Sequence, residues 1–186
     1  MPGPEDAHRL ATATFLAGER VDMQALAAEL GVNRVTLYRW VGSKELLLGS
    51  VLSALARTTV EQADRAVGGK GPEHVARVVQ AVVEQIHAFA PLRAFLKRDP
   101  EYALKVLTSA HSTVHQSSVA VVREILEAEV ERGDLDPPVD VGDLAYVIVR
   151  IGDSFLYRDQ IIGAEPDVAQ VGQLTHLLLT GTPLPG

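Results

Sequence analysis

The sequence predicts an all-α fold. Three observations carry that reading. Apolar residues recur three and four apart through nearly every segment, which lines one face of a helix. The in-and-out alternation of a strand is absent from the chain. Gly and Pro fall between the periodic segments, where they stop one helix or open the next.

Taken in order, the first helix spans residues 6–17, with Leu10, Ala13, Leu16 and Ala17 apolar, and ends at Gly18. The second spans 22–30. Asp22 is its N-cap, because a carboxylate there can accept the free backbone N–H groups of the first turn. Met23, Leu26, Ala27 and Leu30 form its apolar stripe. Gly31 stands where the chain needs a left-handed residue, Val32 is the buried turn residue, and Asn33 caps a third helix over 34–41. The fourth starts at Ser43-Lys44 and runs to 66, with Leu47, Leu48, Val51, Leu52, Leu55 and Ala56 apolar, before the glycines at 68, 69 and 71. The fifth begins near Pro72, a residue suited to a first turn, and reaches Phe89. Pro91 opens a short sixth helix. Asp99-Pro100 pairs a cap with a proline and opens a seventh, carrying Tyr102, Leu104, Val106 and Leu107. The eighth covers 112–132 and ends at Gly133. Pro137-Pro138 separates it from a ninth over 141–162, and Pro166 opens a last helix with Val168, Val171, Leu174 and Leu177 to Leu179.

Residues 22–47 carry most of the functional signal. Two short helices flanking a Gly-containing turn form a helix-turn-helix, a unit that places its second helix in the major groove of DNA. In 34–41, Leu37 and Val41 are four apart and pack back on the preceding helix. Arg34, Thr36, Tyr38, Arg39 and Trp40 form the exposed or half-exposed remainder, and Lys44 follows at the next helix start. Arg forks onto guanine or phosphate, the hydroxyls of Thr and Tyr bond phosphate, and aromatic rings lie along sugar and base edges.

At these residues the chain resembles the TetR family of transcriptional repressors: Gly31 through Thr36-Leu37-Tyr38-Arg39, then Ser43-Lys44-Glu45 and Leu47. The resemblance implies backbone contacts from Thr36 and Tyr38, base or phosphate contacts from Arg34 and Arg39, and a phosphate anchor at Lys44. The family pattern has His-Phe where this chain has Trp40-Val41, and Trp40 can still donate one hydrogen bond through its indole N–H. Little chain precedes the first helix, so a long basic arm is not expected. Phe95 to Glu101 and Val149 to Tyr157 resemble the regulatory domain of the QsdR type. That resemblance implies control of genes for breaking down lactone signals.

The net charge of −7 runs against a DNA partner until it is mapped. Residues 1–60 hold six basic and six acidic side chains, and residues 61–186 hold 11 and 18. Arg34 to Lys44 carries three cations and no acid. An acidic rear part repels DNA and leaves the front face to dock. A neutral front part predicts modest affinity per head, hence a dimer on two half-sites. The chain has no cysteine, which excludes disulfides, thiolate metal sites and a Cys nucleophile and suits a reducing cytoplasm. Its acidic start is no secretion signal, and no apolar run is long enough for a membrane span.

Segments 112–132 and 141–162 are apolar around more than one face, which calls for a second burial partner. By family resemblance they form a four-helix bundle with their mates in a homodimer; burial within one chain is the other reading. Ala145 and Gly152 allow close approach. Arg150 and Asp153, three apart, are either a structural or interface ion pair or the polar anchor of an apolar pocket. Phe89, Phe95, Tyr102, Leu107, Phe155 and Tyr157 are its candidate walls. His111 and His115 sit at a metal-compatible spacing with no third ligand in view, so they read as surface or pocket-rim histidines. Gly152-Asp153-Ser154 echoes a hydrolase nucleophile motif, but Ser154 falls inside a predicted helix with no strand before it.

The expected protein is therefore a non-enzymatic, ligand-responsive regulator, a repressor in the expected sense, with no cofactor and no metal. Residues 1–47 form the DNA-binding domain and 48–186 the ligand-binding and dimerisation domain, with the fourth helix as connector. Its partners would be palindromic double-stranded operator DNA, a second copy, and a small apolar or lactone/acyl-type effector. A helical ligand-carrier or interaction protein with a vestigial hairpin is the alternative.

Overall fold

The computed structural model describes residues 2–109, 112–165 and 167–181. Among them the chain forms eleven α-helices and no strand. His111 and Pro166, both singled out in the sequence, lie outside the described residues.

The chain divides into two compact units. The first joins Met1–Leu55 to Phe89–Val114, and the second joins Ala56–Ala88 to His115–Gly186. The sequence places residues 89–114 with the regulatory part, yet they pack with the N-terminal helices. The reason is aromatic. Phe15 meets Phe89 at 6.3 Å and Phe95 edge-on at 6.0 Å between ring centroids, and Phe95 meets Tyr102 edge-on at 6.0 Å.

In the first unit, α1 is Pro4–Leu16, α2 is Met23–Glu29, α3 is Arg34–Val41, and α4, Lys44–Val67, begins here. Two further helices, α6 (Ala90–Arg98) and α7 (Pro100–Thr108), complete it. Helix α1 starts earlier than the sequence predicts and buries a different face. Ala7, Ala11 and Phe15 are inward, while Ala13, Ala17 and Leu16 are exposed. Two alanines spaced four apart let the hairpin lie close, and Phe15 supplies the bulk. The caps are as the sequence predicts. The Asp22 carboxylate accepts from the N–H groups of Gln24 and Ala25 at 2.9 and 3.0 Å. The Asn33 side chain accepts from Thr36 N–H at 2.8 Å, and that of Asp99 from Tyr102 N–H at 3.3 Å. Gly31 adopts φ +66°, a conformation that costs other residues strain, and the next N–H, of Val32, returns to the Ala27 carbonyl at 3.0 Å. Val32 itself is half-buried rather than buried.

The second unit holds the rest of α4, then α5 (Gly71–Ala88), α8 (Thr113–Glu131, counted from His115), α9 (Val141–Leu156), α10 (Arg158–Ile162) and α11 (Gln170–Thr180). Helix α5 packs along α11, and α9 packs against both. Gly152 of α9 faces α5, where a Cβ would come 3.4 Å from Val83 Cγ2, so its close approach is made within the chain. The predicted ninth helix is two. At Tyr157 the backbone leaves the helical region (φ −106°, ψ 20°) and the ring is buried, while Ile161 and Ile162 beyond it are exposed. The apolar spacing that runs through 162 is therefore not one buried face.

Glu129 on α8 is 0% exposed. Its carboxylate accepts the Gly71 N–H at 2.7 Å and pairs with Arg132. His74 stands 3.8 Å away, and its two ring nitrogens meet the Asp64 carboxylate at 2.8 Å and the Gly68 carbonyl at 2.6 Å. This knot ties the α4–α5 turn to the end of α8. Gly71 has φ +68°, and a Cβ there would come within 2.9 Å of the Asp134 carbonyl oxygen.

Candidate DNA-binding face and regulatory polar cluster

Helix α3 is held from one side only. Leu37 is 0% exposed and Val41 half-buried, both against the hairpin side. Val35 is 78% exposed and Tyr38 36%. Arg34 and Arg39 are exposed, and Thr36 and Trp40 are half-buried. The structure thus brings the predicted reading residues onto one open surface, with Lys44 half-buried one turn on. Sequence reasoning left Val35 off this surface, although its three-residue offset from Tyr38 places it there.

Within the face, Arg34 Nη2 donates to the Tyr38 hydroxyl at 3.1 Å, and its guanidinium lies 5.2 Å from the ring centroid. That hydrogen bond holds the guanidinium above its usual pKa range. The Lys44 ammonium sits 5.2 Å over the Tyr102 ring. Arg39 makes no ion pair among the described residues. The face therefore offers cations and rings without acids in ion-pair contact, which suits a polyanion.

The candidate pocket residues divide between the units. Phe89, Phe95, Tyr102 and Leu107 belong to the first, and Arg150, Asp153, Phe155 and Tyr157 to the second. Leu107 is plain core. Arg150 and Asp153 pair at 3.3 Å on α9. Burial pushes the Asp153 carboxyl up to about 7, against the opposing pull of Arg150. His115 Nδ1 stands 3.5 Å from Asp153 Oδ2. Burial, then Arg150, pushes that imidazole below its usual range. Burial and the Asp153 charge raise the Tyr157 phenol. The sequence paired His115 with His111 and missed this contact, because residues 38 apart leave no local signature. Glu129 was also missed, although Val122, Leu126 and Glu129 fall at one helical spacing and put an acid on the buried stripe.

Ser154 lies within α9, and its hydroxyl donates to the Ile151 carbonyl at 2.8 Å. No exposed strand-to-helix elbow presents it. Among the described residues no group of three or more metal-ligating side chains converges. No helix among them is long and apolar enough to cross a membrane.

Residues 70–180 match the family model for the tetracyclin repressor-like C-terminal domain. The structure is similar to that of the transcriptional repressor QsdR of the TetR family from R. erythropolis. The two share 32% identity and a TM-score of 0.91, over 98% of this chain and 96% of that one. It is also similar in fold to the TetR-family repressor AlkX from Dietzia sp. strain DQ12-45-1b, implicated in biodegradation of n-alkanes (17% identity, TM-score 0.64, 95% and 94% coverage). A third likeness is to the transcriptional regulator FadR from Bacillus subtilis, solved with stearoyl-CoA (15% identity, TM-score 0.56, 95% and 97% coverage). Comparison with curated proteins returned no match. With its helix-turn-helix, its regulatory-domain match and its end-to-end likeness to a repressor of that kind, the chain belongs to the TetR family of DNA-binding transcriptional regulators and is not an enzyme.

Proposed function

We propose that two copies of this chain bind a palindromic operator as a homodimer and leave it when a small effector binds. The observation that carries the reading is the open α3 surface, with Leu37 sealed beneath it and Arg34, Thr36, Tyr38, Arg39 and Trp40 above. Two such helices, about 34 Å apart, would enter successive major grooves. Lys44 anchors a phosphate beside each. The protein acts next to the chromosome, in the cytoplasm.

The dimer forms through α8 and α9. Tyr146 is 51% exposed on α9 with Val147 beside it, and Val130 is exposed on α8. These are the large apolar groups that a second copy would cover.

The effector is a small apolar or lactone/acyl-type molecule. A carbonyl ligand needs apolar walls and a few donors. Arg150 is one donor. The Asp153 carboxyl, raised to about 7 by burial, is partly protonated at neutral pH and is a second. Phe155 and Tyr157 flank them on the chain. The effector releases DNA only to the extent that it binds the off-operator conformer more tightly.

Selection of bound DNA from a random pool tests the whole reading. A two-fold palindrome with half-sites one helical turn apart is the expected product. Recovery of no preferred sequence at low salt would remove it.

A further inference from the structure

The first unit contains a cavity of about 110 Å³ that the functional reading above does not use. Phe15, Phe95 and Tyr102 form its aromatic walls, and Leu48 and Val21 add aliphatic surface. Arg20, Lys44 and Arg98 also line it. Three cations from three parts of the chain thus line one partly aromatic hollow. Among the described residues none of them lies in an ion pair.

Their surroundings are specific. Arg98 Nη2 donates to the Gly18 carbonyl at 2.5 Å, which holds the guanidinium at the rim and leaves its other N–H groups available. Lys44 lies over the Tyr102 ring. The nearby carboxylates are mostly committed. Asp99 accepts from Tyr102 N–H, and Asp22 accepts from two N–H groups at the α2 start. Glu19 lines the cavity with Asp99, so the lining carries three cations against two acids.

We infer that this cavity is a binding site for a small monocarboxylate. Its carboxylate sits among Arg20, Lys44 and Arg98, and its hydrocarbon body lies against Phe15, Phe95 and Tyr102. Arginine forks match a carboxylate in two parallel hydrogen bonds. The size of the body follows from the volume. A cavity of roughly 150 Å³ in another protein holds benzene, so this one takes a body of about three to five carbons, its charged end at the mouth. Neutral alcohols of the same length lack the charge, and inorganic anions lack the body.

The site lies beside the DNA face. Lys44 lines the cavity, and the functional reading also makes it a phosphate anchor. A bound carboxylate draws the ammonium inward and weakens DNA binding. This coupling rests on that reading, but occupancy of the cavity does not.

The experiment uses the full-length protein and reads its melting temperature with butyrate, hexanoate, butanol, hexanol and inorganic phosphate at equal ionic strength. A ligand that binds the folded state raises the melting point. The expected result is a concentration-dependent rise with the two carboxylates that the alcohols and phosphate do not give. Arg98→Ala, at an exposed position, should keep its helical circular dichroism and lose the rise, and Arg98→Lys should keep part of it. No rise with either carboxylate, an equal rise with phosphate or alcohol, or a full rise in Arg98→Ala would each overturn the site. In a parallel gel shift, hexanoate should lower operator affinity several-fold in the parent and not in Arg98→Ala. Unchanged affinity in the parent, despite a confirmed melting rise, would overturn the coupling. Failure to shift operator without any ligand would instead count against the functional reading.

Discussion

Arg34 and Tyr38 hold one another across a single turn of α3, through a 3.1 Å hydrogen bond and a guanidinium resting over the ring. The pair keeps both side chains in one orientation before any DNA arrives, which reduces the ordering that binding would require. Tyr38→Ala removes the ring and frees Arg34. Operator affinity in a gel shift should fall about fivefold or more, with the dimer intact by light scattering. Tyr38→Phe keeps the ring and should lose less. An unchanged shift for Tyr38→Ala would remove α3 as the reading face.

Lys44 should show itself in salt dependence more than in sequence preference. Each lost phosphate contact lowers the slope of log affinity against log salt by about 0.9. With one Lys44 per half-site, Lys44→Ala should flatten the slope by about 2. Affinity for all sequences should drop together. A parallel line with unchanged slope would show that Lys44 touches no phosphate.

Glu129 should matter for stability far from any DNA. Glu129→Ala strands the buried Gly71 N–H, at a cost of about 1–3 kcal/mol. Its partner Arg132 is half-exposed and can turn to water, so the larger penalty of a stranded buried charge does not apply. Urea denaturation would read the loss as a lower midpoint at constant slope. A midpoint equal to that of the parent would mean the knot contributes nothing.

Asp153 should leave a signature in the pH profile. Its folded-state pKa, raised by burial to about 7, lies above the ordinary value of 3.8. Between those two values the folded state keeps a proton that the unfolded state has released. Stability therefore falls as pH rises from about 4 to 7, and is flat above. His115, shifted down, acts with the opposite sign: its contribution is lost as pH falls through its unfolded value. Comparing Asp153→Asn with the parent isolates the carboxyl. The variant should gain in melting temperature relative to the parent as pH goes from 5 to 8. A constant offset between the two would contradict a raised pKa.

The exposed α9 groups should decide the oligomeric state. Tyr146→Glu with Val147→Glu puts two negative charges on the face assigned to the second copy, where like charges would meet across a two-fold axis. The solution mass should fall to that of one chain with helical circular dichroism retained. A dimer that persists would move the interface elsewhere.

The helix caps and the buried side of α3 were legible because their signals are local. Asp22, Asn33 and Asp99 cap helices through bonds spanning two or three residues, and Leu37 shows its burial by its spacing to Val41. The candidate pocket residues are drawn from both units. Phe95 and Asp153 are both apt neighbours for a ligand, yet they belong to different compact units, and nothing in their local spacing says so.

The chain alone determined that Asp22, Asn33 and Asp99 cap α2, α3 and α7 and that Gly31 takes the left-handed turn, since those depend on groups within about one turn of each other. Only the tertiary structure decided that Arg98 reaches the Gly18 carbonyl 80 residues away and that Glu129 reaches Gly71 across 58. It also decided that the ninth helix breaks at a buried Tyr157. Burial is a property of distant surfaces meeting, and the spacing of neighbours along a helix says that a face is apolar without saying what will cover it.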